Sequence, residues 1–257
     1  MIKQVNEAYV KTEVHKGIAF IEFFHPQSNS LPGAVLKELA NVILHAGTDP
    51  NTSVIVLRSA GEKAFCAGAS FDELAAIQNE KQGLEFFSGF ANVINAMRKC
   101  PKFIIVRVHG KCVGGGVGIA AAADYAIAVE GADIRLSELA IGIGPFVIGP
   151  AVGRKMGVSS YSQLSIDAAS WRNADWARRK GLYAELHQTV EAMDESIEKL
   201  SNTLSHSSLE AMSEMKKVFW KGTEHWDELL IERAKISGNL VLSEFTRNAI
   251  AKFKAKS

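Results

Sequence analysis

Three glycines in a row, Gly114, Gly115 and Gly116, stand between an apolar segment, FIIVRVHGKCV, and an alanine-rich run, VGIAAAADYAIAV. Few backbones accept this order. A glycine turn that feeds a helix leaves unpaired N–H groups at the positive end of the helix dipole. Such a terminus suits a developing negative charge. After Gly118 the run meets no helix breaker until Gly131, and it leads to one acid, Glu138, in the apolar stretch LSELAIGIG. An isolated carboxyl group among apolar neighbours is a candidate general base with a raised pKa.

The flanking sequence reads as α/β units. Segments 53–57 (SVIVL) and 103–108 (FIIVRV) are short continuous apolar runs, as strands buried on both faces require. Segment 125–129 (YAIAV) is a third strand and 134–136 a fourth. Between the first two lie a glycine- and alanine-rich loop over 58–70, a helix over 71–77 and an amphipathic helix over 83–99. Phe86, Phe90, Val93, Ile94 and Met97 share one side of the latter. Upstream, 9–24 reads as a hairpin turning at His15-Lys16-Gly17. A helix follows, capped by Asn29 or Ser30 and stopped at Gly47. Strand, loop, helix, strand in repetition implies an α/β fold with right-handed crossovers. From about residue 152 the pattern is wholly helical, near 159–165, 173–181, 189–205, 207–221 and 224–252, with Gly238 a break in the last.

Composition removes several classes of function. A net charge of +1 supplies no basic field for nucleic acid. No apolar run approaches the ~20 residues that span a bilayer. The N-terminal MIKQVNEAYVKTEVHKG lacks the apolar core of a signal peptide. A cytoplasmic protein without membrane or nucleic-acid partners is expected. Cys66, Cys100 and Cys112 are odd in number and lack metal-ligand spacing. They are expected to be free thiols, with no metal site.

Two strand-to-helix loops are built of small residues: AFCAGAS (64–70) and VGGGVG (113–118). Ligands of parallel sheets sit outside the carboxyl ends of the strands. Two such loops at one edge can each offer one N–H to one oxygen, which makes an oxyanion hole. The plainer reading is that the glycines only allow close packing. No Gly-Lys-Ser/Thr follows the triplet, so it is not a phosphate-binding P-loop, nor is it a GxGxxG fingerprint.

AFCAGASFDEL, then GKCVGGGVGIAAAADYAIA, then LSELAIGIGP, resembles the crotonase superfamily of enoyl-CoA hydratases and isomerases. NSL at 29–31, GLYAELH at 181–187, SEMKKVFW and the final AKFKAKS extend the resemblance over nearly the whole chain. It implies a crotonase-like ββα spiral core over 1–190 and a C-terminal helical trimerisation region over 191–257. It implies a homotrimer or hexamer acting on an acyl-CoA thioester through its enolate. Coenzyme A is then part of the substrate, and no separate cofactor is needed. Carried over by the loop match, the N–H groups of Ala69 and Gly115 hold the thioester oxygen, and Ala67 and its neighbours line the adenine site. Gly68, Gly114, Gly118 and Phe146 are expected to border the substrate, with Glu138 as the base.

The departures bear on the reaction. Hydratases of this family carry two glutamates; here the first position is Gly118 and only Glu138 remains. The glycine-rich turn that positions water is replaced by the bulky Pro145-Phe146-Val147-Ile148-Gly149. Ser70 stands where the family's GAD sequence has aspartate. The site pattern is most similar to that of monofunctional 3,2-enoyl-CoA isomerases. Hydration by Glu138 alone, 3-hydroxyacyl-CoA hydrolysis, dehalogenation and acyl-CoA binding without turnover are the competing readings. Hydrolases and dehalogenases need a carboxylate in the loop over 145–149, where none is present. Elsewhere, His109 is expected to be packed and Asp124 to end a helix. Trp171, Trp176, Trp220 and Trp226 are expected in core or subunit contacts, and Lys252, Lys254 and Lys256 form a basic tail that is solvated or meets CoA phosphates.

Overall fold

The computed structural model describes residues 7–254. Tyr9–His15 (β1) and Ile18–Phe24 (β2) form the expected antiparallel hairpin. Lys16 and Gly17 turn it with φ of 49° and 79°, the positive angles that tight hairpin turns need. Then come Ser30–Leu31 (β3), Gly33–Thr48 (α1), Val54–Ser59 (β4), Ala64–Cys66 (β5), Gly68–Ala69 (β6), Phe71–Ala76 (α2) and Glu80–Lys99 (α3). The next turn of the spiral is Ile104–Val108 (β7), Lys111–Val113 (β8) and Gly115–Ala122 (α4). Tyr125–Val129 (β9) and Ile134–Arg135 (β10) lead to a 3-10 turn, Glu138–Ile141. Gly149–Met156 (α5), Val158–Ile166 (α6), Ala174–Arg179 (α7) and Glu185–His187 (β11) precede the C-terminal helices Val190–Ser205 (α8), Leu209–Phe219 (α9), Trp226–Leu240 (α10) and Glu244–Lys254 (α11).

The main sheet runs β1-β2-β4-β7-β9-β11, parallel except for β1. A second sheet, β10-β8-β5, is parallel, and β3 pairs with β6. Each repeat therefore places a long strand in one sheet, a short strand in the next, and then a helix or turn. The long strands are buried on both faces. Ile55 and Leu57 of β4 join one core with α1, α3 and α4. Val54 and Val56 join another with Ile105, Ile127, Met193 and Ile197, beneath α8. Double-sided burial is why these strands are mostly apolar.

Several expectations need correction. The segment 58–70 is not simply a loop, since it holds β5 and β6. Asn29 does not cap α1. It takes φ of 56°, accepts the His25 N–H at 2.8 Å, and donates to the Ala60 and Ala64 carbonyls at 2.8 and 2.9 Å. Ser30 is used in β3, so α1 starts later, at Pro32, without a side-chain cap. The long C-terminal helix does not break at Gly238. It runs through to Leu240 and restarts at Glu244. At Gly238, α10 instead meets α3: a Cβ on Gly83 would lie 2.7 Å from the Gly238 carbonyl oxygen. Here backbone proximity outweighs low helix propensity.

Asp124 follows α4, and its role is wider than ending a helix. It accepts the Ile104 N–H at 2.8 Å, Lys216 Nζ at 2.7 Å and Trp220 Nε1 at 3.1 Å. It thus ties α9 to the sheet. Trp220 packs edge-on against Trp226 with centroids 5.8 Å apart. His109 is packed at the end of β7, with both ring nitrogens out of solvent contact. The three cysteines are free and buried. Among the described residues, no helix is long and apolar enough to cross a membrane. Lys252 is exposed on α11, and Lys256 lies outside the described residues.

Candidate active site

A cavity of about 160 Å³ opens where the segments after β5 and β8 face the 3-10 turn. It is bordered by Ala67, Gly68 and Ala69 from the first loop, Gly114 and Gly115 from the second, and Glu138 and Phe146 beyond. Seven of the eight site residues expected from sequence therefore meet at one cavity.

Local structure explains the small residues. Gly68 has φ of 94° and brings β6 against the Val113 carbonyl, 3.3 Å from where its Cβ would stand. Gly114 has φ of 53° and ψ of −114°, a conformation open in practice to glycine alone. A Cβ on Gly114 would lie 2.8 Å from Glu138 Oε1. On Gly115 it would strike the Phe90 ring, and on Gly116 it would lie 2.6 Å from the Cys66 carbonyl oxygen. The triplet is thus a packing requirement. Gly115 is the first residue of α4, where amides lack intrahelical acceptors and carry the positive end of the dipole. Ala69 ends β6, directly before Ser70. Ser70 caps α2 by accepting the Glu73 N–H at 3.3 Å, which is the capping task an aspartate performs.

Glu138 opens the 3-10 turn beside these loops. Its Oε2 is buried and has no hydrogen-bond partner among the described residues. Burial pushes its carboxyl up to about 7, against the opposing pull of its own backbone amide and of Arg135. Among the described residues it is the one acidic residue on the cavity wall. Such a group is poised to take up and return a proton near neutral pH.

Gly118 is the exception among the expected site residues. It does not border the cavity. It lies in the buried interior of α4, where a Cβ would come within 2.5 Å of Ile148 Cγ2. The space beside Gly118 is therefore filled by an isoleucine from the loop that carries Phe146. Tyr161 of α6 steadies that loop through a 3.1 Å hydrogen bond from its hydroxyl to the Pro145 carbonyl.

Sequence reasoning missed Phe71, Phe87 and Ser237 on the wall. Phe86 and Phe90 were read as the apolar side of a helix, a pattern that does not separate core from cavity lining. The Phe71 ring also packs on Phe253 of α11, with centroids 4.5 Å apart. Ser237 reaches the cavity because α10 folds back across α3, and no local signal announces it.

Two small-residue loops that share a cavity with a single carboxyl group, set on a ββα spiral, define a crotonase-like fold. The model of the enoyl-CoA hydratase/isomerase family matches residues 13–251, and the chain belongs to that family. The enoyl-CoA hydratase from Bacillus halodurans has a similar structure, with a TM-score of 0.87 at 20% identity over 95% of this chain and 99% of that one. Among curated proteins, the carnitinyl-CoA dehydratase of Proteus mirabilis is 27% identical over 76% of this chain and 73% of its own length. A 3-hydroxyisobutyryl-CoA hydrolase of Bos taurus is 32% identical over 47% of this chain and 32% of its own. A (7aS)-7a-methyl-1,5-dioxo-2,3,5,6,7,7a-hexahydro-1H-indene-carboxyl-CoA hydrolase of Rhodococcus jostii is 33% identical over 48% of this chain and 47% of its own. With these two hydrolases the match spans less than half of their length.

Proposed function

We propose that this member of the family moves the double bond of a 3-enoyl-CoA into conjugation, giving the 2-enoyl-CoA. The observation that carries the reading is the lone carboxyl on the wall, Glu138, with Ile148 over Gly118 where a second would stand. Glu138 takes the proton from C2. The electron pair of that C–H bond moves toward the thioester oxygen, which the Ala69 and Gly115 N–H groups receive. Charge grows on that oxygen only as the proton leaves, so fixed donors favour the transition state over the ground state. Glu138 then returns the proton to C4 as the remaining double bond shifts to C2–C3. The base ends as it began, and no water is consumed. The apolar 145–149 loop supports this reading because it keeps water out.

The names of the relatives support a second reading, in which Glu138 directs addition or loss of water across the double bond. Purified protein given 3-hexenoyl-CoA should produce the ultraviolet absorbance of a conjugated enoyl thioester. No conversion above the Glu138→Gln background sinks the isomerase reading. Hydration of crotonyl-CoA at rates of ordinary hydratases replaces it with the second. The expected trimer or hexamer is tested by sedimentation.

A further inference from the structure

We propose that the acyl group accepted here carries an aromatic ring, two or three carbons from the thioester carbonyl, seated among the phenylalanines of the cavity wall. The proposal rests on the acyl-CoA reading above and on placing the thioester at Gly115. It does not depend on which reaction follows.

Five phenylalanines border the cavity: Phe71 of α2, Phe86, Phe87 and Phe90 of α3, and Phe146. The core phenylalanines Phe23 and Phe65 are fully covered. Phe71, Phe86, Phe87 and Phe146 are only half-buried, so ring surface is left over at the wall they line. These rings are held in place. A Cβ on Gly144 would lie 2.4 Å from Phe146 Cε2, so the Phe146 ring rests directly on backbone. The Phe71 ring is braced by Phe253, with centroids 4.5 Å apart. Phe86 and Phe87 meet edge to face, their centroids 5.0 Å apart and their planes at 87°. A ligand ring stacked parallel to either is therefore edge-on to the other, and both arrangements are attractive between aromatic quadrupoles. An alkyl chain gains the contact area and neither of these.

Spacing along α3 sets where the ring falls. Phe90 marks the thioester end, since a Cβ on Gly115 would come within 2.2 Å of its Cζ. Phe86 and Phe87 precede Phe90 by four and three residues, on the same side of the helix. They lie one turn away, about 5.4 Å along the axis. A phenyl ring on a two-carbon spacer has its centre at about that distance from the carbonyl carbon. The volume agrees: about 160 Å³ is close to the ~150 Å³ at which an apolar cavity takes up one benzene molecule. One ring fills such a space and leaves little room for a long chain.

Saturated CoA esters test this without turnover. Buried apolar area alone favours a cyclohexyl ring over a phenyl ring. Calorimetric titration should nevertheless show 3-phenylpropanoyl-CoA binding about 3- to 10-fold more tightly than 3-cyclohexylpropanoyl-CoA, the scale of one or two aromatic contacts. It should also bind more tightly than hexanoyl-CoA. Along benzoyl-, phenylacetyl-, 3-phenylpropanoyl- and 4-phenylbutanoyl-CoA, affinity should be highest for the last two. In Phe86→Leu and in Phe87→Leu the phenyl-to-cyclohexyl ratio should fall toward one, with hexanoyl-CoA binding reporting a folded site. Should a leucine variant fail to fold, the wild-type ratio and the spacer series decide. Equal or tighter binding of the cyclohexyl ester, tightest binding of benzoyl-CoA, or a ratio unchanged in both folded leucine variants overturns the proposal. Failure of every ester to bind overturns it together with the acyl-CoA reading. The aromatic preference found without isomerase activity supports it while the isomerase reading falls.

Discussion

Asp124 and Glu138 follow the same glycine triplet in one stretch of chain, and the fold treats them in opposite ways. Asp124 is surrounded by donors: a backbone amide, an ammonium and an indole N–H. Its side chain is 7% exposed and that of Lys216 3%. Glu138 has an oxygen with no partner among the described residues and a mostly apolar cavity in front of it. A buried charge whose partners are all supplied fixes structure. One left short of partners is held ready for chemistry. Sequence alone does not separate the two, because each is a lone acid among small apolar residues. Two of the donors that distinguish Asp124, Lys216 and Trp220, arrive from α9 and its C-cap, far along the chain.

The comparison is broken most sharply by removing each acid. Glu138→Gln should slow exchange of deuterium into C2 of a bound acyl-CoA by ~10²–10⁴-fold, the range for losing a proton-transfer group. The same variant should remain folded. Exchange within a few-fold of the wild type would falsify Glu138 as the base. Asp124→Ala should do the reverse. It leaves Lys216 buried and unpaired, at a cost of about 3–5 kcal/mol, visible in urea unfolding, while turnover per folded molecule stays within a few-fold. A variant as stable as the wild type removes Asp124 from its structural role.

The smaller effect is in pH. Glu138 holds its proton up to about 7, above the ordinary 4.5. The folded state therefore binds this proton more tightly than the unfolded chain does. The favourable contribution is present below 4.5 and is lost as pH rises to about 7, on the order of 3 kcal/mol. Against Glu138→Gln, the wild type should lose stability across that window and not change relative to it above. Because the base must be ionised, kcat/KM should climb through about pH 7. A rise centred near 4.5 would show that Glu138 is solvated and that the contrast with Asp124 is weaker than the geometry implies.

Much of this was legible in sequence, for physical reasons that differ by element. β4, β7 and β9 could be read because burial on both faces leaves them dominated by apolar residues, with Arg58 and Arg107 near the ends of β4 and β7 the charged exceptions. The two small-residue loops could be read because close approach to another backbone excludes side chains. β5, β6 and β8 have three residues or fewer, too short to show a period of two. α5 was missed because the glycines and proline that open it resemble a loop. Gly238 was misjudged because propensity spoke for a break while the crossing with α3 decided the matter. Gly118 was rightly seen as lacking a carboxylate but wrongly placed on the cavity wall, since the position of Ile148 over it depends on the return of the 145–149 loop.

That crossing has a consequence for the cavity. Phe86, Phe87 and Phe90 stand on α3 and Ser237 on α10, so two walls of the cavity belong to helices that meet backbone to backbone at Gly83 and Gly238. The breadth of the chamber is gauged at a spot where neither helix has a side chain. A single methyl there, with Cβ contacts of 2.7 to 2.9 Å to relieve, acts as a shim: it widens the chamber without altering any group that touches the acyl chain. The width of the chamber is thus set by two glycines that do not border it.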